Sequence, residues 1–290
     1  MRYEHGQGRL CEDHDGQALS VPVLPERGRV CRGQKTDVKV YVKVETKILG
    51  GIIMNRQWKK FDELTEQCYT DMIKNAVNMD NWNRCFKLLT EIISDGRAQD
   101  PDFAKELYLL DDGTDYAHDL QGWLEDYLDE LDMRGMYAEL ESVCRKLLEL
   151  FAWEEEHPSD IRFLLSSALE SQGKTEEALS LCREWAAQEP DNPYAAAALI
   201  YAEISANNLE NAEEIVKQHI SDDTVCDEDN DVIFTAAVSL YQKTGNKKME
   251  KKMDHAREEY DKKLNTYLMG MDDEYEFGDD EDFMDEWPFG

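Results

Sequence analysis

Gln172-Gly173-Lys174-Thr175-Glu176-Glu177-Ala178 recurs downstream as Ala206-Asn207-Asn208-Leu209-Glu210-Asn211-Ala212, and the closing alanines, Ala178 and Ala212, stand 34 residues apart. Each block carries residues that tolerate the left-handed backbone conformation, Gly173 in one and the Asn207-Asn208 pair in the other. Before the first block, Ile161, Leu164, Leu165, Ala168 and Leu169 fall on one helix face. After it, Ala178, Leu181, Cys182 and Trp185 do the same. Helix, tight turn and second helix at a fixed period describe a unit that cannot bury its own apolar stripe, so neighbouring units must stack.

The same spacing extends in both directions. Leu140, Val143, Cys144, Leu147, Leu148 and Phe151 form one stripe, and Ala212, Ile215, Val216 and Ile220 another. Polar breaks at Asp95-Gly96, Asp112-Gly113, Arg134-Gly135, Gln172-Gly173, Asn207-Asn208 and Thr244-Gly245 predict helix ends. Ser159-Asp160 reads as a helix cap, and Pro190 and Pro193 stop one helix and start the next. No β-rich stretch follows residue 45, so residues 54–267 are read as an all-α body.

These blocks resemble the tetratricopeptide repeat. Ser159 to Asn192 is the best copy: Leu165, the small Ser166, Ala178 and Pro190 stand at matching positions. Leu169 replaces the usual Tyr, Cys182 an aromatic and Arg162 the common Trp, while Trp185 occupies a position where Ala is usual. Pro193 to Asp222 is a second copy, in which Leu199, Ala212 and Val216 match and Ile200 and Glu203 do not. Three further units rest on periodicity: Leu120 to Phe151, Phe61 to Ile93 turning at Asn78 to Asn83, and Asp231 to Leu264. Glu154-Glu155-Glu156-His157 reads as a short insertion. The resemblance implies a right-handed solenoid of about five antiparallel helix hairpins. The first helix of each hairpin would line a concave groove. Carried over by position, that lining includes Glu125, Asp129, Asp132, Phe163, Ser167, Glu170, Tyr194 and Tyr201, with Lys74, Ser239 and Gln242 at its ends.

Charge sets the chemistry of such a groove. The 290 residues carry 64 Asp and Glu against 32 Lys and Arg, a formal net charge of −32. This excludes a nucleic-acid binder held by phosphate neutralisation and disfavours anionic membrane surfaces. Residues 100–189 hold 24 acidic and seven basic residues, whereas residues 243–263 hold eight basic ones. An acidic groove with aromatic anchors suits a basic or amphipathic peptide. The expected function is a non-enzymatic protein- or peptide-binding scaffold, with no cofactor. The alternatives are a self-associating homodimer and a metal-dependent hydrolase.

Site motifs give the hydrolase little support. No P-loop, GxGxxG, GxSxG or HExxH is present. Asp227-Glu228-Asp229-Asn230-Asp231 begins like a calcium loop, but Val232 stands where the turn needs Gly and Val238 where a bidentate Glu belongs. Asp111-Asp112-Gly113-Thr114-Asp115 is similarly incomplete, and His118 beside Asp119 lacks a nucleophile. Seven cysteines form no CxxC pair and read as reduced, buried small hydrophobes, which fits a cytoplasmic protein.

The ends differ from the body. Residues 1–53 read as an irregular leader with one strand-like alternation, Val38-Lys39-Val40-Tyr41-Val42-Lys43-Val44, and no partner strand nearby. Gly50-Gly51-Ile52-Ile53-Met54 has the form of a translated ribosome-binding site, so the expected native start is Met54. Residues 268–290 are expected to be a disordered acidic tail, since ten of the fifteen residues from Asp272 to Glu286 are acidic.

Overall fold

The computed structural model describes residues 37–272, with side chains for residues 54–267. The chain divides into two units at Gly50 and Gly51. Of the first unit only the helical backbone from Asp37 is described. The described residues form eleven helices and no strand. None of these helices is long and apolar enough to cross a membrane.

Ten of the helices pair as five successive hairpins. They are α1 (Asp37–Ile73) with α2 (Met79–Gln99), α4 (Leu120–Met133) with α5 (Tyr137–Leu150), α6 (Ser159–Ser171) with α7 (Thr175–Gln188), α8 (Pro193–Ser205) with α9 (Leu209–His219), and α10 (Asp231–Thr244) with α11 (Lys247–Asp272). A short α3 (Tyr108–Asp112) lies in the connection between the first two pairs. Successive hairpins touch: α5 and α7 pack on the helices that follow them, and α6 packs on α8 as α8 packs on α10. Gly135, Gly173 and Gly245 turn three of the hairpins at positive φ, and Asn207 (φ 60) turns a fourth.

Buried apolar side chains run continuously from Phe61, Cys68, Trp82 and Leu89 through Trp123, Leu131 and Leu140 to Leu165, Leu169 and Ala178. Leu179, Cys182, Trp185 and Ala198 then join α7 to α8. Ala197, Ile200, Phe234, Ala237, Leu240 and Met253 fill the last two hairpins. Five small residues in α8, among them Ala195 to Ala198, let neighbouring helices approach closely, which a Leu-rich face would not permit.

Several expectations need correction. The Val38 to Val44 alternation is not a strand, and the leader is not irregular throughout, because α1 begins at Asp37. With no partner to complete a ladder, a helix satisfies the backbone groups within one segment. The turn of the first hairpin is Lys74 to Asn78, not Asn78 to Asn83; Asn78 caps α2 by accepting from Asp80 N. Gly96 does not end α2 but lies inside it, and a Cβ there would come within 2.3 Å of the Phe103 ring. Glycine is needed at that position for close approach rather than for a turn. Ser159 is the first residue of α6 rather than its cap; its Oγ accepts from Asn192 Nδ2. The expected disordered tail, 268–290, begins instead as helical backbone, since α11 runs to Asp272; residues 1–36 and 273–290 lie outside the described residues.

Candidate functional site

The connection from α2 to α4 and the loop from α5 to α6 are longer than a tight hairpin needs, and they lock together. Ala152 N donates to Lys105 O (2.8 Å), Glu154 N to Glu106 Oε1 (3.0 Å) and Tyr108 Oη to Glu155 Oε2 (2.6 Å). Arg97 ties the first connection to α2 through the carbonyls of Phe103 and Ala104. Buried Asp111 then caps α4 across the chain, accepting from Leu120 N (2.7 Å) and Gln121 N (3.0 Å). The acid-rich run at 111–115 therefore organises a helix start. Likewise Asn230 closes the 227–231 loop by accepting from Asp227 N and donating to Val225 O. Among the described residues no group of three or more His, Cys, Asp or Glu is placed to hold a metal ion.

This bracing shapes a cleft of about 690 Å³ between α4 and α6. Its floor is apolar: Leu124, Leu128, Leu147, Ile161, Leu164 and the Trp153 ring. Its rim carries Glu125, Asp129, Glu156 and Asp160, with His157 beside them. Among the described residues none of these four carboxylates has an ion-pair partner within 4.0 Å.

A second group lies on α6 and α8. Phe163 meets Tyr194 edge-on at 6.4 Å and Tyr201 edge-on at 6.2 Å. Glu170 Oε2 accepts from Ser205 Oγ across the two helices at 2.5 Å. Burial pushes the Glu170 carboxyl above its ordinary range, against the opposing pull of that hydroxyl. The Tyr201 phenol is raised as well, chiefly by burial. The sequence-predicted residues thus fall into two sets, Glu125 with Asp129 in the cleft and Phe163, Tyr194, Tyr201 and Glu170 on the aromatic face. Asp132 and Ser167 are half-buried and line neither the cleft nor the aromatic contacts, and Lys74 is exposed just beyond α1.

Residues 169–228 match the tetratricopeptide repeat family model, a span that takes in α7, α8 and α9. The chain is a tetratricopeptide-like helical repeat protein. No curated protein matches the sequence. Within this repeat frame, two of the four departures in the best copy, Arg162 and Trp185, compensate each other. The Arg162 guanidinium sits 5.7 Å from the Trp185 ring centroid and pairs with Glu189, so the bulk missing at one position is supplied at the other. Trp185 is only 2% exposed. Glu203, another mismatch, is a buried carboxylate that Arg183 and Asn208 satisfy.

Sequence reasoning missed Glu156, Asp160 and Trp153 as cleft residues, because they lie on the insertion and at the first turn of α6. The one available signal was Trp153 standing directly before an insertion of three consecutive acids. It also missed His118 as an anchor: its ring stacks on Trp58 at 4.6 Å and bonds Asp62 Oδ1 at 2.6 Å. The five described cysteines are free and buried. Burial pushes the Cys68, Cys144 and Cys182 thiols up to about 12, which leaves them unreactive.

Polar clasps between hairpins hold the site's elements in register. Glu141 on α5 accepts from Lys174 Nζ (2.6 Å) and Gln172 Nε2 (2.9 Å) in the α6–α7 turn, and from its own helix's Arg145. The Lys174 bond leads in lowering the Glu141 carboxyl from 4.5 to about 2. A carboxyl depressed in the folded state stabilises it above the unfolded-state pKa, and that contribution disappears as pH falls through the folded one. Urea unfolding of the wild type and Glu141→Gln, compared from pH 6 downward, should therefore show the gap between them closing from about 4.5 toward about 2. A gap independent of pH across that window would refute the clasp.

Proposed function

We propose that this chain is a non-enzymatic, cytoplasmic scaffold that binds a protein or peptide on the concave face of a right-handed solenoid. The face comprises Glu125, Asp129 and Asp132 on α4, Phe163, Ser167 and Glu170 on α6, and Tyr194 and Tyr201 on α8. One observation carries the reading: Glu170 keeps a desolvated carboxylate beside an aromatic cluster with a hydroxyl as its hydrogen-bond partner. A raised carboxyl lowers stability at neutral pH, because the folded state then holds a charge it disfavours. A charge without an ion-pair partner beside the exposed Tyr194 and the half-buried Phe163 and Tyr201 suits recognition of a basic or amphipathic segment better than it suits packing.

Glu170→Gln should therefore raise the urea midpoint at pH 7 while weakening partner capture. Capture from the source lysate by the wild type, by Glu170→Gln with Tyr201→Ala, and by charge reversal at Glu125, Asp129 and Asp132 tests the face directly. Unchanged partners with all three baits would remove it.

One observation favours self-association as a second reading. The buried stripe of α11 at Met253 and Tyr260 continues to Leu264 and Tyr267, which are 39% and 65% exposed. Sedimentation should show a dimer that Leu264→Ser/Tyr267→Ser dissociates; a monomer at all concentrations rules this reading out.

A further inference from the structure

We propose that the cleft between α4 and α6 anchors an arginine or lysine side chain of a partner peptide, selected by Glu125, Asp129, Glu156 and Asp160. The inference rests on the peptide-binding reading above and assigns a specific pocket and a specific side-chain chemistry to it.

On α4 to α8 some carboxylates are matched, Glu130 with Arg134, Glu141 with Arg145 and Lys174, Glu189 with Arg162 and Glu203 with Arg183, while others such as Glu139 and Glu176 stand singly on the surface. What sets the cleft apart is convergence: four carboxylates share one apolar-floored opening, with no cation among the described residues in ion-pair range. Like charges around a low-dielectric floor repel one another, and a bound cation offsets that repulsion by attracting all four carboxylates.

The floor narrows the choice of cation. Leu124, Leu128, Leu147, Ile161 and Leu164 give a small hydrated ion nothing to ligate. They do suit the methylene stem of a long basic side chain, whose charged head stays at the rim. The Trp153 ring adds a face on which such a cation is attracted by the π-system. At about 690 Å³ the space exceeds one side chain, so residues flanking the anchor enter with it. An acidic peptide meets repulsion at the rim, and a wholly apolar one leaves the carboxylates uncompensated while desolvating them.

The test uses the full chain and a short fluorescein-labelled peptide of alternating arginine and leucine, followed by anisotropy. Glu125→Gln, Asp129→Asn, Glu156→Gln and Asp160→Asn combined should weaken binding by roughly tenfold or more. A control removes the same net charge elsewhere, through Glu63→Gln, Glu66→Gln, Glu210→Gln and Glu214→Gln, and should change it by less than about twofold. Circular dichroism and melting establish that both variants fold.

Equal weakening by the two variants overturns the pocket, since attraction to an acidic surface then explains everything. Equal affinity for a peptide with citrulline in place of arginine also overturns it. Loss of binding with Tyr194→Ala/Tyr201→Ala but not with the cleft variant discards the cleft and keeps the wider face. No binding to the wild type discards the cleft assignment and leaves the face to its lysate experiment. If the cleft variant instead dissociates a dimer, the occupant is the Lys-rich α11 of a second copy, and the peptide proposal fails.

Discussion

Trp123→Ala is expected to lower the unfolding free energy by about 3–5 kcal/mol. Trp123 is 1% exposed and stands where three helices meet. It stacks on Trp82 of α2 at 5.9 Å and on Tyr127 one turn along α4 at 5.5 Å, and meets the edge of Phe61 of α1 at 5.3 Å. Trp82 and Tyr127 stack on each other at 6.1 Å, so the three flat rings form one block. Removing its centre forfeits both area burial and aromatic pairing worth about 0.5–1.5 kcal/mol per pair, and leaves a cavity that rigid neighbours cannot fill.

Trp123→Phe should cost much less, because it keeps an aromatic ring in the block and removes fewer buried atoms. Urea unfolding gives both numbers, and the exciton signal of the stacked indoles should vanish in each variant. Hydrogen exchange locates the damage. Protection should fall most in α1, α2 and α4 and least in α10 and α11, whose core is a separate cluster. A loss below about 1 kcal/mol for the alanine variant contradicts the packed block.

How far the sequence reached is clearest at particular residues. The spacing of Ala178 and Ala212, and the left-handed turns at Gly135, Gly173, Asn207 and Gly245, were legible because backbone chirality leaves few residues suited to such positions. Helical periodicity found the hairpins for the same local reason. Gly96 was misread because a glycine needed for close approach and one needed for a turn look identical in sequence, and only Phe103 distinguishes them. Asp111 was read as part of a failed ion loop because its partners, the Leu120 and Gln121 amides, lie nine and ten residues away. The site was half legible: Glu125 and Asp129 follow from repeat position, but Glu156 and Asp160 join them only through the fold of the insertion.

Arg183→Ala should destabilise the chain by about 3 kcal/mol, although half of the Arg183 side chain is exposed. The reason lies with its partner. Glu203 on α8 is 3% exposed, and Arg183 on α7 donates to its Oε1 through Nε (3.0 Å) and Nη2 (2.8 Å). Asn208 Nδ2 donates to Oε2 at 2.8 Å. Truncating the arginine strands a carboxylate between two hairpins, and the desolvation penalty falls on the folded state alone. The pair itself is not the source of that stability. Arg183→Ala combined with Glu203→Met should recover most of the loss, because a buried pair replaced by apolar bulk is often neutral or better. A double-mutant cycle on urea midpoints separates the two statements. If Arg183→Ala costs no more than a surface pair, about 0–1 kcal/mol, water reaches Glu203 and the α7–α8 contact is looser than the geometry requires.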